Sequence, residues 1–369
     1  MPVKKNNKSK PSPKTKKANK TAGKGLSWPK ALFIAILVLL ALRTFFLQSF
    51  VIQNTAMDGT FQSGDWIIIN KAAYGSRMPI TPLSVPFSPL KVNSNSPRLY
   101  SDAITLPYFR LSGYSNIHNN DIIAFNYPDD ENTPIDKKIV YAKRCVAIPG
   151  DTLIIRRNEL YINNQKVKID NLQFLYKIVL KGHTLAKSLI DKYSLNEGGA
   201  INNFGEYNLY ISEKQAEELS KETEILSITK ERKLQSLDKG YVFPQDVMSN
   251  WTLDNYGPIV VPKAGFGIRI NKENINIYRK ILEQYEKCTV AIEKDKVLIN
   301  NKSLESYFFK YNYFFMLDDN RDNAKDSRLW GFLPETHIIG KVAFIASSFD
   351  PSKSGFSKIR WSRTFKRVK

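Results

Sequence analysis

Two stretches of the sequence decide the fold: residues 319–331 read DNRDNAKDSRLWG, and residues 141–151 read YAKRCVAIPGD. In the second stretch, Lys143 stands inside an apolar, β-branched run, and the Pro-Gly dipeptide that follows is a turn signal. The surrounding sequence has the same character, with short β-branched runs separated by Gly, Pro, Asn and Asp. These runs are Trp66–Ile69, Asp121–Phe125, Ile139–Ile148, Leu153–Ile155 and Leu160–Ile162. They predict a body rich in β-strands.

Basic residues are concentrated at the two ends of the chain. The 369 residues have a formal net charge of +20, and residues 1–30 hold ten lysines and no acid. Residues 351–369 hold seven basic residues and no acid, so the body between the ends is close to neutral. Basic tails attract anionic lipid or nucleic acid without reading a sequence. The first tail precedes an apolar segment, which favours a role in membrane orientation, and we expect no nucleic-acid partner.

The apolar segment after the first tail predicts a membrane anchor. Residues 31–42 read ALFIAILVLLAL, which spans about 18 Å, too short for a hydrocarbon core of about 30 Å. Counting on to Ile52 gives about 33 Å, so we expect one transmembrane anchor over residues 28–52, with Arg43 at an interface. The lysines before the segment place the N-terminus in the cytoplasm and the body outside. The alternative is a cleaved signal peptide, for which the lysine tail is long.

The body divides into a β core and an insertion. Thr152–Val167 aligns without gaps to Thr289–Leu304, and both indicate a strand, a polar turn and a strand ending in Ile-Asn-Asn. The pair is either an internal repeat or two similar hairpins, and it brackets residues 168–288 as an inserted cap. Ser212–Lys233 has the pattern of an exposed amphipathic helix. Residues 76–100, rich in Pro and Ser, have the pattern of a surface excursion.

The predicted fold class is therefore mainly β: a β core with an inserted α+β cap, preceded by one transmembrane helix. The predicted boundaries are a disordered basic tail at 1–27, the anchor at 28–52, the core at 53–155 and 289–350, the cap at 156–288 and a basic tail at 351–369.

Four segments, in order along the chain, resemble the signature boxes of signal peptidase I, the serine-lysine membrane peptidases of the S26 family. They are residues 50–57 (FVIQNTAM), 64–71 (GDWIIINK), 141–151 and 319–331, the last followed by Phe-Leu-Pro. The two longer boxes are specific, and they lie in the right order downstream of an anchor. The resemblance covers roughly residues 30–160 and 255–350 and implies a signal-peptidase-type β core. The long middle of the chain is similar to the enlarged Gram-negative forms of the Bacteroidetes type.

The serine nucleophile that this resemblance implies is missing. The family activates a serine hydroxyl with a neutral, buried lysine, and Lys143 matches that lysine. The alternative is that Lys143 is an ordinary surface lysine on a strand. Ala56 stands at the nucleophile position, and Ala324 stands where a second serine orients the lysine. A methyl group cannot attack a carbonyl carbon. The chain is therefore identified as a degenerate member of the family.

Further departures surround Ala56. Gln53, Asn54 and Gly59 occupy positions usually held by Pro, Ser and Pro. The amide of Asn54 can still donate a hydrogen bond at the oxyanion position. Several changes in one box favour natural loss of the serine over a single engineered substitution, and both origins stay open.

The resemblance also implies a groove and a supporting turn. The groove takes an extended peptide by strand addition, with small pockets for Ala-x-Ala. Its expected lining residues are Ile52, Gln53, Met57, Tyr141 and Ala142. The expected structural residues near the site are Asp319, Asn320 and Arg321, which form one turn, and Asp326 and Arg328, which form an ion pair.

Three hypotheses for the function remain. The first is a homologue that binds signal peptides or preproteins at the outer face of the inner membrane without cleaving them, with an active signal peptidase or the Sec translocon as further candidate partners. The second is an active signal peptidase with a displaced nucleophile and Lys143 as base, for which Thr55, Thr60, Ser63 and Ser327 are the nearby hydroxyls. The third is a non-catalytic membrane scaffold whose basic tail binds lipid or nucleic acid. Whether the chain is an enzyme is open at this point.

The two cysteines, Cys145 and Cys288, offer no metal-ligand spacing. We therefore expect no metal and no cofactor. The sequence alone does not show whether the two thiols are close enough to pair.

Overall fold

The computed structural model describes residues 27–85, 99–130, 132–231, 240–245, 250–294 and 296–368. The predicted disordered tail lies outside these residues, apart from residue 27, and so does the middle of the predicted excursion at 76–100. The described residues form two compact units, which divide between Ala41 and Leu42.

The described residues form the following strands and helices. The strands are β1 (Leu47–Val51), β2 (Asp65–Asn70), β3 (Ile122–Asn126), β4 (Val140–Ala147), β5 (Thr152–Arg156), β6 (Glu159–Ile162), β7 (Gln165–Val167), β8 (Gln173–Leu180), β9 (Gly198–Ala200), β10 (Glu206–Ser212), β11 (Ile225–Lys230), β12 (Tyr256–Val260), β13 (Gly267–Ile268), β14 (Val290–Glu293), β15 (Lys296–Ile299), β16 (Lys302–Ser303), β17 (Tyr307–Phe308), β18 (Tyr313–Leu317), β19 (Leu333–Pro334), β20 (Ile338–Ser348) and β21 (Lys366–Arg367). The α-helices are α1 (Trp28–Phe45), α2 (Lys187–Tyr193), α3 (Glu213–Leu219), α4 (Ile275–Lys280) and α5 (Ser327–Trp330).

Helix α1 has the length and composition of a membrane span, and none of its residues is buried. Its 18 residues rise about 27 Å, slightly less than a typical hydrocarbon core. The expectation that the anchor continues to Ile52 is wrong in its last part, because Leu47–Val51 forms strand β1 and pairs with β2. The aromatic and β-branched residues of this segment gain a partner strand, which a continued helix would not give them.

The largest sheet holds eight strands, and all of its pairs are antiparallel. Its order is β1-β2-β20-β3-β4-β18-β19, with β21 paired to β20. Strands β3 and β4 lie in its middle and are almost fully buried, as expected for strands with apolar neighbours on both faces. All five strands predicted from the sequence are present, within one or two residues of the expected bounds. The mainly β fold class is confirmed.

A separate four-stranded sheet, with order β11-β8-β10-β9, forms with α2 and α3 what we call the 173–230 layer. It has a hydrophobic core of its own, in which Ile178, Ile211 and Leu219 are fully buried. The prediction of one amphipathic helix over Ser212–Lys233 is wrong beyond its first half. Helix α3 begins in a capping box between Ser212 and Gln215, and the alternating residues of β11 pair with β8 instead of continuing the helix.

The two aligned sequences of the predicted repeat adopt the same local structure. Strands β5, β6 and β7 form one antiparallel meander, and β14, β15 and β16 form the other. In both, two consecutive asparagines with positive φ make the second turn. The first asparagine accepts a 2.9 Å bond from the starting threonine in each copy, Asn163 from Thr152 and Asn300 from Thr289.

The predicted basic tail at 351–369 packs against the largest sheet. Two 3-10 turns, Gly355–Lys358 and Trp361–Arg363, lead into β21. Arg363 forms an ion pair with the buried Asp65 at the start of β2. Part of the positive charge of this segment is therefore neutralised by ion pairs.

Candidate functional site

The register of two neighbouring strands sets the centre of the site. Strand β4 carries Lys143 and pairs with β18, with Arg144 opposite Leu317. In an antiparallel pair, the residue before Arg144 therefore faces the residue after Leu317. That residue is Asp318, which is fully buried. The sheet thus places a carboxylate directly across from Lys143.

Lys143 and Asp318 form a closed, buried ion pair. The Nζ atom of Lys143 lies 2.5 Å from Oδ1 and 2.6 Å from Oδ2 of Asp318. The two side chains are 3% and 0% exposed. Burial raises the pKa of Asp318 to about 6, against the opposing attraction of Lys143, so the carboxylate is ionised at neutral pH. Among the described residues, the two carboxylate oxygens of Asp318 accept the hydrogen bonds of the Lys143 amine.

The loop after β1 docks on the turn that follows Asp318. The backbone N–H of Asn320 donates to the carbonyl of Ala56 at 3.0 Å, and the N–H of Asp319 points at the sulfur of Met57 at 3.3 Å. The side chain of Asn54 accepts a 3.3 Å bond from the N–H of Ala56. The two segments of the predicted site therefore meet at this turn, and position 56 carries a half-buried methyl group.

The same turn brings Ala324 close to the ion pair. Ala324 is half-buried, and the N–H of its neighbour Lys325 donates to Oδ2 of Asp318 at 3.0 Å. The N–H of Asp318 in turn donates to Asp326 at 3.1 Å. Both positions that lack the expected hydroxyl therefore lie at this turn. Ala56 is bonded to it through its own carbonyl, and Ala324 precedes the residue whose N–H binds the carboxylate of Asp318.

The predicted pairing of Asp326 and Arg328 is present in the structure, and both side chains are fully buried. Nε and Nη2 of Arg328 donate to the two oxygens of Asp326 at 3.0 and 2.8 Å. Burial opposes the negative charge of Asp326, but Arg328 outweighs it and holds the pKa of that carboxyl below its usual range. The guanidinium also bonds the carbonyls of Leu253 and Arg321, so it ties together two further segments.

A second buried charge pair was not expected from the sequence. Arg144 binds Asp319 through Nε at 2.8 Å and Nη2 at 2.9 Å, a bidentate arrangement. Thr60 donates to the same carboxylate and accepts from Nη2 of Arg144. Arg144 therefore joins strand β4, the loop after β1 and the turn that carries Asp319. The only signal for it in the sequence was its position next to Lys143.

Arg321 is also buried, at 2% exposed. Its Nε and Nη2 atoms have no hydrogen-bond partner among the described residues. Burial, together with the nearby Arg328, lowers its pKa to about 10. We have no physical account of why an arginine stands there.

The expected groove residues divide into two groups. Ile52, Met57 and Ala142 are buried in one apolar cluster under the largest sheet. Tyr141 is half-buried on the other face of β4, with its ring 5.3 Å from the Lys143 amine, while Gln53 is exposed.

A free strand edge lies beside these residues. Strand β18 pairs only with the second half of β4, from Arg144 to Ala147. On that side, no described strand pairs with Val140–Lys143, and none pairs with the outer edge of β1. Unpaired edges of this kind accept an extended peptide by strand addition.

The segment that leads into the 173–230 layer explains one departure in the first box. A Cβ atom on Gly59 would lie 2.1 Å from the carbonyl oxygen of Asn171, so neither proline nor any other residue with a Cβ fits there without movement. Next to it, Asp58 accepts hydrogen bonds from Gln173 and Asn196, and burial raises the pKa of this carboxyl. The loop after β1 is therefore shaped in part by the layer packed on it.

Two of the alternative hydroxyls have other partners. Thr60 is bonded to Asp319 and Arg144, as described above. Ser327 is fully buried, and its Oγ accepts a 2.9 Å bond from the N–H of Met316. Neither is hydrogen-bonded to Lys143. The two cysteines are buried and are not bonded to each other.

Comparison with known proteins gives one family. The model of the family described as signal peptidase, peptidase S26, matches residues 25–246 and 264–347 of this chain. Among similar curated proteins, signal peptidase I of Pseudomonas aeruginosa is 28% identical over 349 residues, covering 90% of this chain and 78% of that protein. Signal peptidase I of Buchnera aphidicola from Baizongia pistaciae is 25% identical, covering 85% of this chain and 74% of the relative. Signal peptidase I of Helicobacter pylori is 22% identical, covering 93% and 91%.

Proposed function

Since the chain belongs to the signal peptidase family, peptidase S26, we propose that it serves protein export by binding signal peptides without cleaving them. The observation that carries this proposal is the closed pair of Lys143 and Asp318, beside an alanine at position 56. A serine peptidase needs a hydroxyl and a base with a free lone pair. Here the hydroxyl is missing, and the amine donates hydrogen bonds to a carboxylate.

The binding half of the proposal is supported by the free edge of Val140–Lys143 and the exposed Gln53 beside it. An extended peptide that adds to this edge gains main-chain hydrogen bonds. Small side chains at alternate positions of the peptide would pack over the apolar cluster in which Ile52, Met57 and Ala142 are buried. We propose that the ligand is the segment of a preprotein around its Ala-x-Ala sequence, and that the amide of Asn54 stands at the oxyanion position.

A peptidase with a displaced nucleophile is the competing hypothesis. Thr60 and Ser327 are engaged elsewhere, which favours the non-cleaving function over it. The scaffold hypothesis rests on the basic tail, and it predicts that deleting residues 1–27 removes the cellular role.

We further propose a single-pass protein of the inner membrane, anchored by α1, with the N-terminus in the cytoplasm and the body in the periplasm. The apolar helix Trp28–Phe45 and the lysines before it support this topology. Membrane lipid, an active signal peptidase and the Sec translocon are proposed partners.

Site-specific photo-crosslinking tests the binding proposal. A benzophenone amino acid is placed at Gln53 or Tyr141 in the full chain in lipid nanodiscs, and at the exposed Phe204 of the 173–230 layer as control. A preprotein with an Ala-x-Ala signal peptide is then added and irradiated. We expect adducts from the first two positions that contain the intact preprotein, and none from the control. A preprotein with arginines in place of the two alanines should not compete.

Equal labelling at all three positions, or labelling at none, would refute the groove. Adducts that contain only the cleaved signal peptide would refute the non-cleaving function.

A further inference from the structure

The ion pair at the centre of the site is held in place from several directions. Asp318 receives both contacts from Lys143, at 2.5 and 2.6 Å, and a third bond from the N–H of Lys325 at 3.0 Å. Its own N–H is bonded to Asp326, which is in turn committed to Arg328. The carboxylate is therefore fixed opposite Lys143 by the backbone as well as by its charge.

This arrangement has a chemical consequence for Lys143. A general base must present a lone pair to the hydroxyl whose proton it takes. An ammonium group bonded to a buried carboxylate presents only N–H bonds, and at neutral pH the carboxylate of Asp318 is ionised. The nearby carboxylate of Asp326 is not a substitute partner, because Arg328 binds both of its oxygens.

We propose that Asp318 is a positioning residue that keeps Lys143 out of catalysis as its counter-ion. This proposal rests on the proposed non-cleaving function and extends it. The carboxylate of Asp318 prevents catalysis, in addition to the two missing hydroxyls. Restoring hydroxyls at positions 56 and 324 is then insufficient. Removal of the carboxylate is needed before the Lys143 amine can accept a proton.

The step that becomes available is an ordinary acyl transfer. The hydroxyl installed at position 56 forms a bond to the scissile carbonyl carbon while its proton moves to the Lys143 amine. The C–N bond of the peptide then breaks, and the leaving amine takes that proton. Water then attacks the resulting ester and gives a proton to the amine, which passes it to the oxygen at position 56 as the ester C–O bond breaks, so that the hydroxyl and the neutral amine are both regenerated.

The experiment compares four forms of the full chain in nanodiscs. The first form is A56S/A324S. The second and third add Asp318→Asn or Asp318→Ala. The fourth adds Asp58→Asn to A56S/A324S as a matched control, because Asp58 is a buried carboxylate of the loop after β1 that bonds Gln173 and Asn196 and not Lys143.

We expect cleavage by the first and fourth forms to stay at the background of the assay, and cleavage by the second and third to be at least about tenfold above that background. Adding Lys143→Ala to either active form should abolish the reaction, and Asp318→Glu in place of Asp318→Asn should give an inactive form. The rate of the active forms should rise with pH, as general-base catalysis by an amine requires, which a purely structural effect of Asp318 would not produce.

Two results would overturn the proposal. One is cleavage by A56S/A324S at the rate of the Asp318 variants. The other is inactivity of both Asp318 variants when photo-crosslinking at position 53 shows that they still bind the preprotein. Cleavage by the unmodified chain would instead refute the proposed function, so the two failures are distinguishable. If both Asp318 variants fail to bind the preprotein, the double-mutant cycle of Lys143 and Asp318 described in the Discussion decides the matter. Additive losses of unfolding free energy would overturn the proposal, and strong coupling between the two residues would support it.

Discussion

Breaking the pair of Lys143 and Asp318 from either side should destabilise the protein. Lys143→Met leaves a carboxylate with 0% exposure, and Asp318→Leu leaves an ammonium with 3% exposure. Removing one partner of a buried ion pair typically costs about 3–5 kcal/mol, because the other charge stays desolvated. Replacing both partners with apolar residues of similar size is often neutral or stabilising. We therefore expect each single variant to lose about 3–5 kcal/mol of unfolding free energy at pH 7, and the double variant to recover most of that loss.

The same pair predicts a pH dependence. Burial raises the pKa of Asp318 from 3.8 to about 6, so the native state holds the proton more tightly than the unfolded chain does. This contribution to stability is complete below about pH 4 and is lost as the pH rises through about 6. A shift of about two units corresponds to about 3 kcal/mol. The side chain of the Asp318→Asn variant cannot titrate. The free energy of unfolding of this variant should therefore approach that of the unmodified protein by about 3 kcal/mol between pH 4 and pH 7.

Denaturant unfolding of the full chain in detergent, followed by tryptophan fluorescence, measures both effects. The matched control is the same cycle on Lys166 and Glu159, a 2.6 Å pair with side chains 58% and 45% exposed, where we expect no measurable coupling. If the losses of unfolding free energy of the Lys143 and Asp318 variants simply add, the two side chains do not form a coupled ion pair. A deficit of Asp318→Asn that is constant between pH 4 and pH 7 would refute the expected pH dependence.

Three further outcomes follow from other contacts. Arg328→Lys loses the bidentate grip on Asp326 and two carbonyl bonds, so the unfolding free energy should fall by about 3 kcal/mol; a denaturation midpoint equal to that of the unmodified protein would contradict this. Gly59→Ala places a Cβ 2.1 Å from the Asn171 carbonyl and should cost about 1–3 kcal/mol by the same measurement, whereas a neutral effect would show that the layer does not hold this loop. The two buried cysteines should react with maleimide only in denaturant, and a reducing agent should leave the denaturation midpoint unchanged; rapid labelling of the native chain would contradict their burial.

Much of the β core could be predicted from the sequence because its signals are local. The run around Lys143 is apolar and β-branched over eight residues, and its strand was placed within one residue at each end. The aligned segments of the repeat likewise predicted a strand, a polar turn and a second strand, and both copies form that hairpin. The further turn at the paired asparagines, which have positive φ, was not predicted.

The errors came where a partner strand decides the structure. Leu47–Val51 is apolar enough to continue a helix, but it pairs with β2. Residues 225–230 follow a charged stretch that suits an exposed helix, but they form a strand that pairs with β8. Neither pairing is visible in a local pattern, because both join residues far apart in the chain.

The central contact of the site was missed for a similar reason. Asp318 stands one residue before the box that begins at Asp319, and nothing in its immediate sequence links it to Lys143. The link depends on the register that sets Leu317 opposite Arg144. The sequence could reveal which hydroxyls were missing, but the carboxylate that takes up the amine required the pairing of β4 with β18.

The measurement that tests the account most directly is cleavage of a preprotein by the unmodified full chain, with an S26 homologue that retains its serine as positive control. We expect no product above the level of the Lys143→Ala variant at a time when the control has processed all of its substrate. Product formed by the unmodified chain and abolished by Lys143→Ala would contradict it, because the amine would then be acting as a base in spite of Asp318.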